Sequence, residues 1–153
     1  MPLRAIVFDL WGTLLTERRG VFPQRAQMRF EGAAPILARH GIHPTLEEFT
    51  ERHRASMSAL SALQEAGEDV TPEERARHVI AQFDPAAADR ATAEDIEAFI
   101  EAYGGPILHT PPEVLDGAAQ AVREARARGL AVGLISNTGV SGGRHLRPVL
   151  ESH

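Results

Sequence analysis

The sequence predicts an α/β domain built on a parallel sheet and interrupted by a long helical insertion. Two short apolar runs, LRAIVF at residues 3–8 and LAVGLI at residues 130–135, are rich in β-branched residues and bounded by turns, which is typical of buried strands. A helix predicted from Pro112 to Arg128 ends at Gly129 and leads into the second run. A helix followed by a strand that is apolar on both faces indicates a parallel sheet.

The tract between the two runs shows helical patterns and no convincing strand. One helix is predicted from about Gln24 to His40, and 85–89 is predicted as a loop. Three more helices are predicted after capping boxes, in which a threonine and an acidic residue three positions later satisfy each other's backbone N–H groups: Thr45 with Glu48, Thr71 with Glu74, and Thr92 with Asp95. We therefore expect a core of residues 1–16 and 106–153 and a four-helix insertion at 17–105.

Composition excludes several classes of function. The formal charge of −5 and the pI of about 5.8 argue against a nucleic-acid or polybasic membrane surface. All 16 basic residues are arginine, so the chain has no lysine. The chain has no cysteine, which excludes disulfides, thiolate metal sites and a cysteine nucleophile. No apolar run approaches the roughly 18 residues of a membrane span, and a signal peptide is not evident, so we expect a cytoplasmic protein.

Polar residues follow both predicted strands. Asp9 ends the first strand, and Ser136-Asn137-Thr138 follow the second. Ligands of parallel sheets bind outside the carboxyl ends of the strands, where an aspartate can act as a nucleophile. Gly12 permits a sharp turn that can bring backbone N–H groups toward an anion, and Ser136 offers a hydroxyl to a phosphate oxygen.

The motifs that contain these residues resemble those of a known family. FDLWGTLL (8–15) resembles the first motif of the haloacid dehalogenase-like (HAD) hydrolases, and GLAVGLISNTG (129–139) resembles their second motif. The insertion after the first motif resembles the α-helical cap of one branch of that superfamily. The resemblance covers the whole chain and implies a Rossmann-like HAD core, incomplete in this sequence, with an inserted helical cap.

The resemblance also implies a chemistry for individual residues. Asp9 would attack a phosphoryl group and form an aspartyl-phosphate that water hydrolyses. Mg²⁺ would be bound by the Asp9 carboxylate and the Trp11 backbone carbonyl. The phosphate group would be held by the turn at Gly12 and Thr13, by Ser136 and by Asn137. The cap would close over the site and select a small anionic substrate, most simply a phosphate monoester.

Trp11 is the first departure from the phosphatase pattern, because it occupies the position of a second aspartate that protonates the leaving group. An indole N–H cannot perform this acid–base step. The 2-haloacid dehalogenases also lack this aspartate, use no metal and hold the substrate carboxylate with an arginine after the first motif; Arg18 and Arg19 lie in that region. Metal-free dehalogenation is therefore the alternative, and Trp11 could also be a wall of the pocket.

The second departure is that the sequence lacks the third and fourth motifs of the family, which carry a Lys or Arg and one or two acidic residues. The 15 residues after Thr138 form only a glycine-rich turn and a short helix with Leu146, Val149 and Leu150 on its inner face. We expect a fragment of a longer hydrolase, with a homodimer or a missing C-terminal half completing the sheet; a non-catalytic assembly role is the remaining alternative. The seven histidines show no zinc-binding spacing.

Overall fold

The computed structural model describes residues 2–152. The chain folds into two compact units. The core unit consists of Met1–Val21 and Ile107–His153, and the helical unit is Phe22–Pro106.

The core unit contains the predicted parallel pair of strands. Strand β1 (Ala5–Asp9) pairs with β4 (Ala131–Ile135) in parallel, in a register that places Ala5 opposite Ala131 and Asp9 opposite Ile135. Within residues 2–152 this sheet has two strands, β1 and β4. The prediction of an incomplete parallel α/β core is therefore confirmed.

The prediction that both strands are buried is wrong. Val7 of β1 is 54% exposed, and Leu134 and Ile135 of β4 are 41% and 69% exposed. An apolar run predicts a strand that other layers cover, but the described residues supply cover for only part of this sheet. The result is an apolar sheet surface that faces solvent.

A second ladder was not predicted. Strand β2 (Leu15–Thr16) pairs antiparallel with β3 (Glu113–Val114), and the Leu115 N–H donates to the Leu14 carbonyl at 2.9 Å. The helix expected from Pro112 is correspondingly shorter. Helix α7 (Ala118–Ala127) begins after Gly117, whose φ of +81° is left-handed. Two-residue strands carry no detectable periodicity, which explains why the sequence did not reveal them.

The hydrophobic interior of the core unit includes residues from the chain segment that follows β1. Its buried cluster combines side chains from both segments of the unit: Leu10, Leu15, Ile107, Leu146 and Val149. Ile107 belongs to the short helix α6 (Pro106–His109), and the last two belong to α8 (Gly143–Glu151), whose inner face is confirmed. This cluster anchors the turn that follows Asp9.

The helical unit contains five helices rather than four. They are α1 (Val21–Arg39), α2 (Leu46–Glu65), α3 (Pro72–Ala81), α4 (Pro85–Arg90) and α5 (Ala93–Gly104). Helix α4 replaces the predicted loop because the Asp84 side chain accepts from the Ala86 N–H and Pro85 occupies the first turn. The three predicted capping boxes are all formed.

Aromatic packing holds the centre of the helical unit together. Phe49 and Phe99 are almost completely buried, and their rings lie 5.9 and 4.9 Å from that of Tyr103. Near the end of α1, Arg39 donates to the buried Asp95 carboxylate at 2.9 Å and ties α1 to the start of α5. Among the described residues, no helix has the length and apolarity required to cross a membrane.

Candidate functional site

The two strand ends that carry polar residues lie next to each other. Asp9, the last residue of β1, is in register with Ile135, the last residue of β4, and Ser136 follows directly. Because neighbouring parallel strands end at the same edge of a sheet, both polar residues lie at its carboxyl edge. The sequence predicted this juxtaposition from two motifs more than 120 residues apart.

The Asp9 side chain is open to solvent. The hydroxyl of Thr13 donates to Asp9 Oδ2 at a long distance of 3.3 Å. No hydrogen bond from a described residue reaches Asp9 Oδ1. The carboxylate therefore has one oxygen steadied by Thr13 and one available to react or to bind a cation.

The chain after Asp9 folds into a tight turn. Gly12 has a φ of +75°, a conformation that strongly favours glycine. The Leu10 carbonyl accepts the N–H groups of Thr13, Leu14 and Leu15 at 3.4, 2.9 and 2.9 Å. The Gly12 N–H donates to the Leu15 carbonyl at 2.8 Å, so this N–H is already engaged within the turn.

Leu10 also contributes to the candidate site by holding the turn after Asp9, and this role was not predicted from the sequence. Its side chain is completely buried in the core cluster while its carbonyl closes the turn. The signal was present in the sequence as an apolar residue directly after the strand-end aspartate.

Trp11 lies over the hydrophobic core of this unit. Its side chain is partly buried and packs against the cluster that contains Leu10 and Leu15. The indole has a packing role, and the Trp11 carbonyl, two residues after Asp9, accepts none of the hydrogen bonds of the turn.

Ser136 has a buried hydroxyl with unsatisfied hydrogen-bonding capacity. Its Oγ is inaccessible to water and has no hydrogen-bond partner among the described residues. Buried hydroxyls are normally hydrogen-bonded, since an unsatisfied one costs roughly 1–3 kcal/mol. Asn137, the next residue, is exposed. The hydroxyl is therefore an unsatisfied hydrogen-bonding group directly after the end of β4.

These residues supply only some of the ligands that a magnesium site needs. Mg²⁺ prefers oxygen ligands and commonly combines one or two carboxylates with substrate phosphates and water. Asp9 and the Trp11 carbonyl fit that preference. In the part of the chain that the structure describes, no group of three His, Cys, Asp or Glu side chains is placed to hold a metal ion.

The two arginines after the first motif lie at the surface. Arg18 forms an ion pair with Glu113 at 3.3 Å, and both side chains are more than half exposed. Arg19 is also exposed. Exposed pairs contribute roughly 0–1 kcal/mol, so the Arg18–Glu113 pair is a minor contact between the chain near β2 and β3.

The fold and its strand-end residues define an α/β domain with a candidate ligand site at the carboxyl edge of its sheet. The family model described as a haloacid dehalogenase-like hydrolase matches residues 3–149. The chain belongs to the haloacid dehalogenase-like hydrolase family. No curated protein matches this sequence significantly.

Proposed function

We propose that this hydrolase cleaves phosphate monoesters through a covalent intermediate on Asp9. The observation that supports the proposal best is the register of β1 and β4, which brings the exposed Asp9 carboxylate and the unsatisfied Ser136 hydroxyl to adjoining strand ends. A nucleophile beside an anion-binding hydroxyl is what phosphoryl transfer requires.

The reaction would proceed in two displacements. Asp9 Oδ1 forms a bond to phosphorus while the bond between phosphorus and the ester oxygen breaks. That oxygen takes a proton from water, because the indole at position 11 supplies none. Water then cleaves the aspartyl-phosphate, which releases phosphate and restores the carboxylate. Ser136 would donate its hydroxyl to a phosphoryl oxygen, with Asn137 beside it.

The Asp9 carboxylate and the Trp11 carbonyl would hold Mg²⁺ in this reaction. When bound, the ion reduces the repulsion between an anionic nucleophile and an anionic substrate. The family's usual additional cationic and acidic groups would come from outside residues 2–152, through a longer form of the chain or a second copy. The open edges of β1 and β4 leave room for the strands that carry them.

Metal-free hydrolysis of a short 2-haloacid is the second candidate. The packed Trp11 side chain favours it, because a halide leaves without a proton. Asp9 would then attack the carbon that bears the halogen and form an ester, and water would hydrolyse that ester. A non-catalytic role as an assembly partner is the third candidate, and loss of both activities would support it.

We assign the helical unit to the cap of this family and propose that its side chains select a small anionic substrate. We also propose a cytoplasmic location, in line with a chain that lacks cysteine.

Activity assays with a phosphate monoester and with a 2-haloacid test the proposal. Phosphate release from 4-nitrophenyl phosphate is measured with Mg²⁺ and with a chelator, and chloride release from 2-chloropropionate is measured in parallel. D9N should abolish the activity that is present. D116N is the matched control, because Asp116 is another exposed acid of the core unit. Phosphate release that survives in D9N would exclude the aspartyl mechanism.

A further inference from the structure

The carboxyl end of helix α5 is held by a buried arginine of α1. Arg29 Nε donates to the Tyr103 carbonyl at 3.0 Å, and Arg29 is only 8% exposed. Carbonyls in the last turn of a helix lack a partner within the helix, and a cation at that end is favourable. Arg29 therefore stabilises the last turn of α5, directly before Gly105 and Pro106, where the chain returns to the core unit.

The Tyr103 side chain joins the same helix end to α2. Its hydroxyl lies 3.1 Å from His53 Nδ1, and the two ring centroids are 5.3 Å apart in an edge-to-face contact. Burial raises the pKa of the Tyr103 hydroxyl, so the phenol keeps its proton. A phenol can donate to Nδ1 only while that nitrogen carries no proton, and in the imidazolium both ring nitrogens carry one.

The charges that act on His53 oppose its protonation. Burial, followed by the positive charges of Arg29 and Arg54, lowers the pKa of His53 to about 4. Arg29 comes from α1 and Arg54 from the same helix as His53. A proton on His53 would therefore add a third positive charge beside two arginines.

The neighbouring helices do not offset these charges. Helix α3 also packs against α2, and its half-buried ionisable side chains are Arg75, Arg77 and His78. The glutamates of α1, α2, α3 and α5 are all exposed. The buried acid of α5 is Asp95, which lies about two turns before Tyr103 and pairs with Arg39.

We propose that protonation of His53 releases the last turn of α5, so that mild acid loosens one of the two chain connections between the helical unit and the core unit. The imidazolium can no longer accept from the Tyr103 hydroxyl, and its charge repels the Arg29 guanidinium that holds the Tyr103 carbonyl. One proton thus weakens both interactions that fix this helix end. The other end of α5 keeps its ion pair between Arg39 and Asp95, so the release is local.

Two backbone amides report on this release. The Gly105 N–H donates to the Glu101 carbonyl at 2.8 Å, so its exchange with solvent requires the last turn of α5 to open. The Ala91 N–H donates to the Ala87 carbonyl at 2.9 Å at the end of α4. Ala91 is therefore a matched reference in the same unit.

Amide hydrogen exchange of the full chain, corrected for the intrinsic effect of pH on exchange, measures both openings. With a pKa of 6.5 for His53 in the open state and about 4 in the closed state, the opening equilibrium rises about 40-fold between pH 6.5 and pH 4.5. We expect the protection of the Gly105 amide to fall by that factor. The protection of the Ala91 amide should change by less than about threefold.

Three variants separate this mechanism from general acid unfolding. H53Q should keep Gly105 protected at both pH values, because the glutamine side chain can accept from Tyr103 and does not titrate. H43Q should behave like the wild type, since His43 is an exposed histidine of the same unit. R29Q should lower the protection of Gly105 at both pH values and reduce the fold-change between them.

Three results would overturn the proposal. They are equal losses of protection at Gly105 and Ala91, a pH dependence that persists in H53Q, and a pKa of 6.5 or higher for His53 in the folded wild-type chain. The last is measured by NMR titration of the imidazole protons and needs no variant to fold. None of these readouts depends on hydrolase activity, so the proposed function can fail while this proposal stands.

Discussion

Replacing Ser136 with alanine should stabilise the core unit while weakening phosphate binding. The Ser136 Oγ is buried without a hydrogen-bond partner among the described residues, a situation that costs roughly 1–3 kcal/mol. Removing the oxygen relieves that cost and forfeits a few tenths of a kcal/mol of packing contacts. We expect S136A to raise the free energy of unfolding by about 1 kcal/mol.

Urea unfolding followed by tryptophan fluorescence measures this effect locally. Trp11 is the single tryptophan of the chain and packs against the cluster of the core unit, so its emission reports on that unit. With an m value of about 1 kcal/mol per molar urea, the midpoint should rise by about 1 M. Inorganic phosphate should raise the midpoint of the wild-type chain, because a ligand of the folded state stabilises it, and should raise that of S136A much less.

S56A is the matched control for this experiment. Ser56 of the helical unit is completely buried, and its Oγ also lacks a hydrogen-bond partner among the described residues. S56A should stabilise the helical unit, measured by helical ellipticity, and leave the effect of phosphate unchanged. If S136A instead lowers the stability of the core unit by more than about 1 kcal/mol, or leaves the phosphate effect intact, the assignment of Ser136 to phosphate binding is wrong.

Three further predictions follow from particular side chains. W11D should accelerate the hydrolysis of alkyl phosphates more than that of 4-nitrophenyl phosphate, and the two accelerations should differ by a factor of roughly 10²–10⁴. The reason is that the alkoxide, the poorer leaving group, needs a proton and 4-nitrophenolate does not. Equal effects on both substrates would contradict this prediction. Burial, followed by the charges of Arg29 and Arg54, lowers the pKa of His53 to about 4. As the pH falls, the unfolded chain therefore takes up a proton at His53 before the folded chain does. The stability that neutral His53 gives the folded state is full above pH 6.5 and is lost as the pH falls toward 4. Thermal unfolding of H53Q should therefore depend less on pH over that range than that of the wild type. T92A should destabilise the helical unit by about 1 kcal/mol in thermal unfolding, whereas T50A, outside any capping box, should change it by less than about 0.5 kcal/mol.

Local chemistry explains which parts of the fold could be predicted. Capping boxes at Thr45, Thr71 and Thr92 determine helix starts from four consecutive residues, and all three form as expected. Helix α4 was missed although Asp84-Pro85 is a recognisable start signal, because the alanine-rich stretch after it lacks an apolar period. The β2–β3 ladder was missed because its pairing joins residues far apart in the chain.

The candidate site was predictable in its residues but not in its contacts. The positions of Asp9 at the end of β1 and of Ser136 directly after β4 follow from the sequence pattern, since neighbouring parallel strands end at one edge of the sheet. The engaged Gly12 N–H, the packing of Trp11 and the unsatisfied Ser136 hydroxyl depend on where the turn meets the core, which no local pattern encodes. The exposure of Val7 and Ile135 likewise depends on which layers cover the sheet.

Mass spectrometry of the chain after incubation with acetyl phosphate and Mg²⁺ tests the central claim most directly. Fluoride and rapid acid quenching would preserve an aspartyl-phosphate long enough to digest and map it. The proposed mechanism predicts one added phosphoryl group on the peptide that contains Asp9, present in D116N and absent in D9N. A phosphoryl group on another residue, or an unmodified chain under conditions in which phosphate is released, would contradict the mechanism.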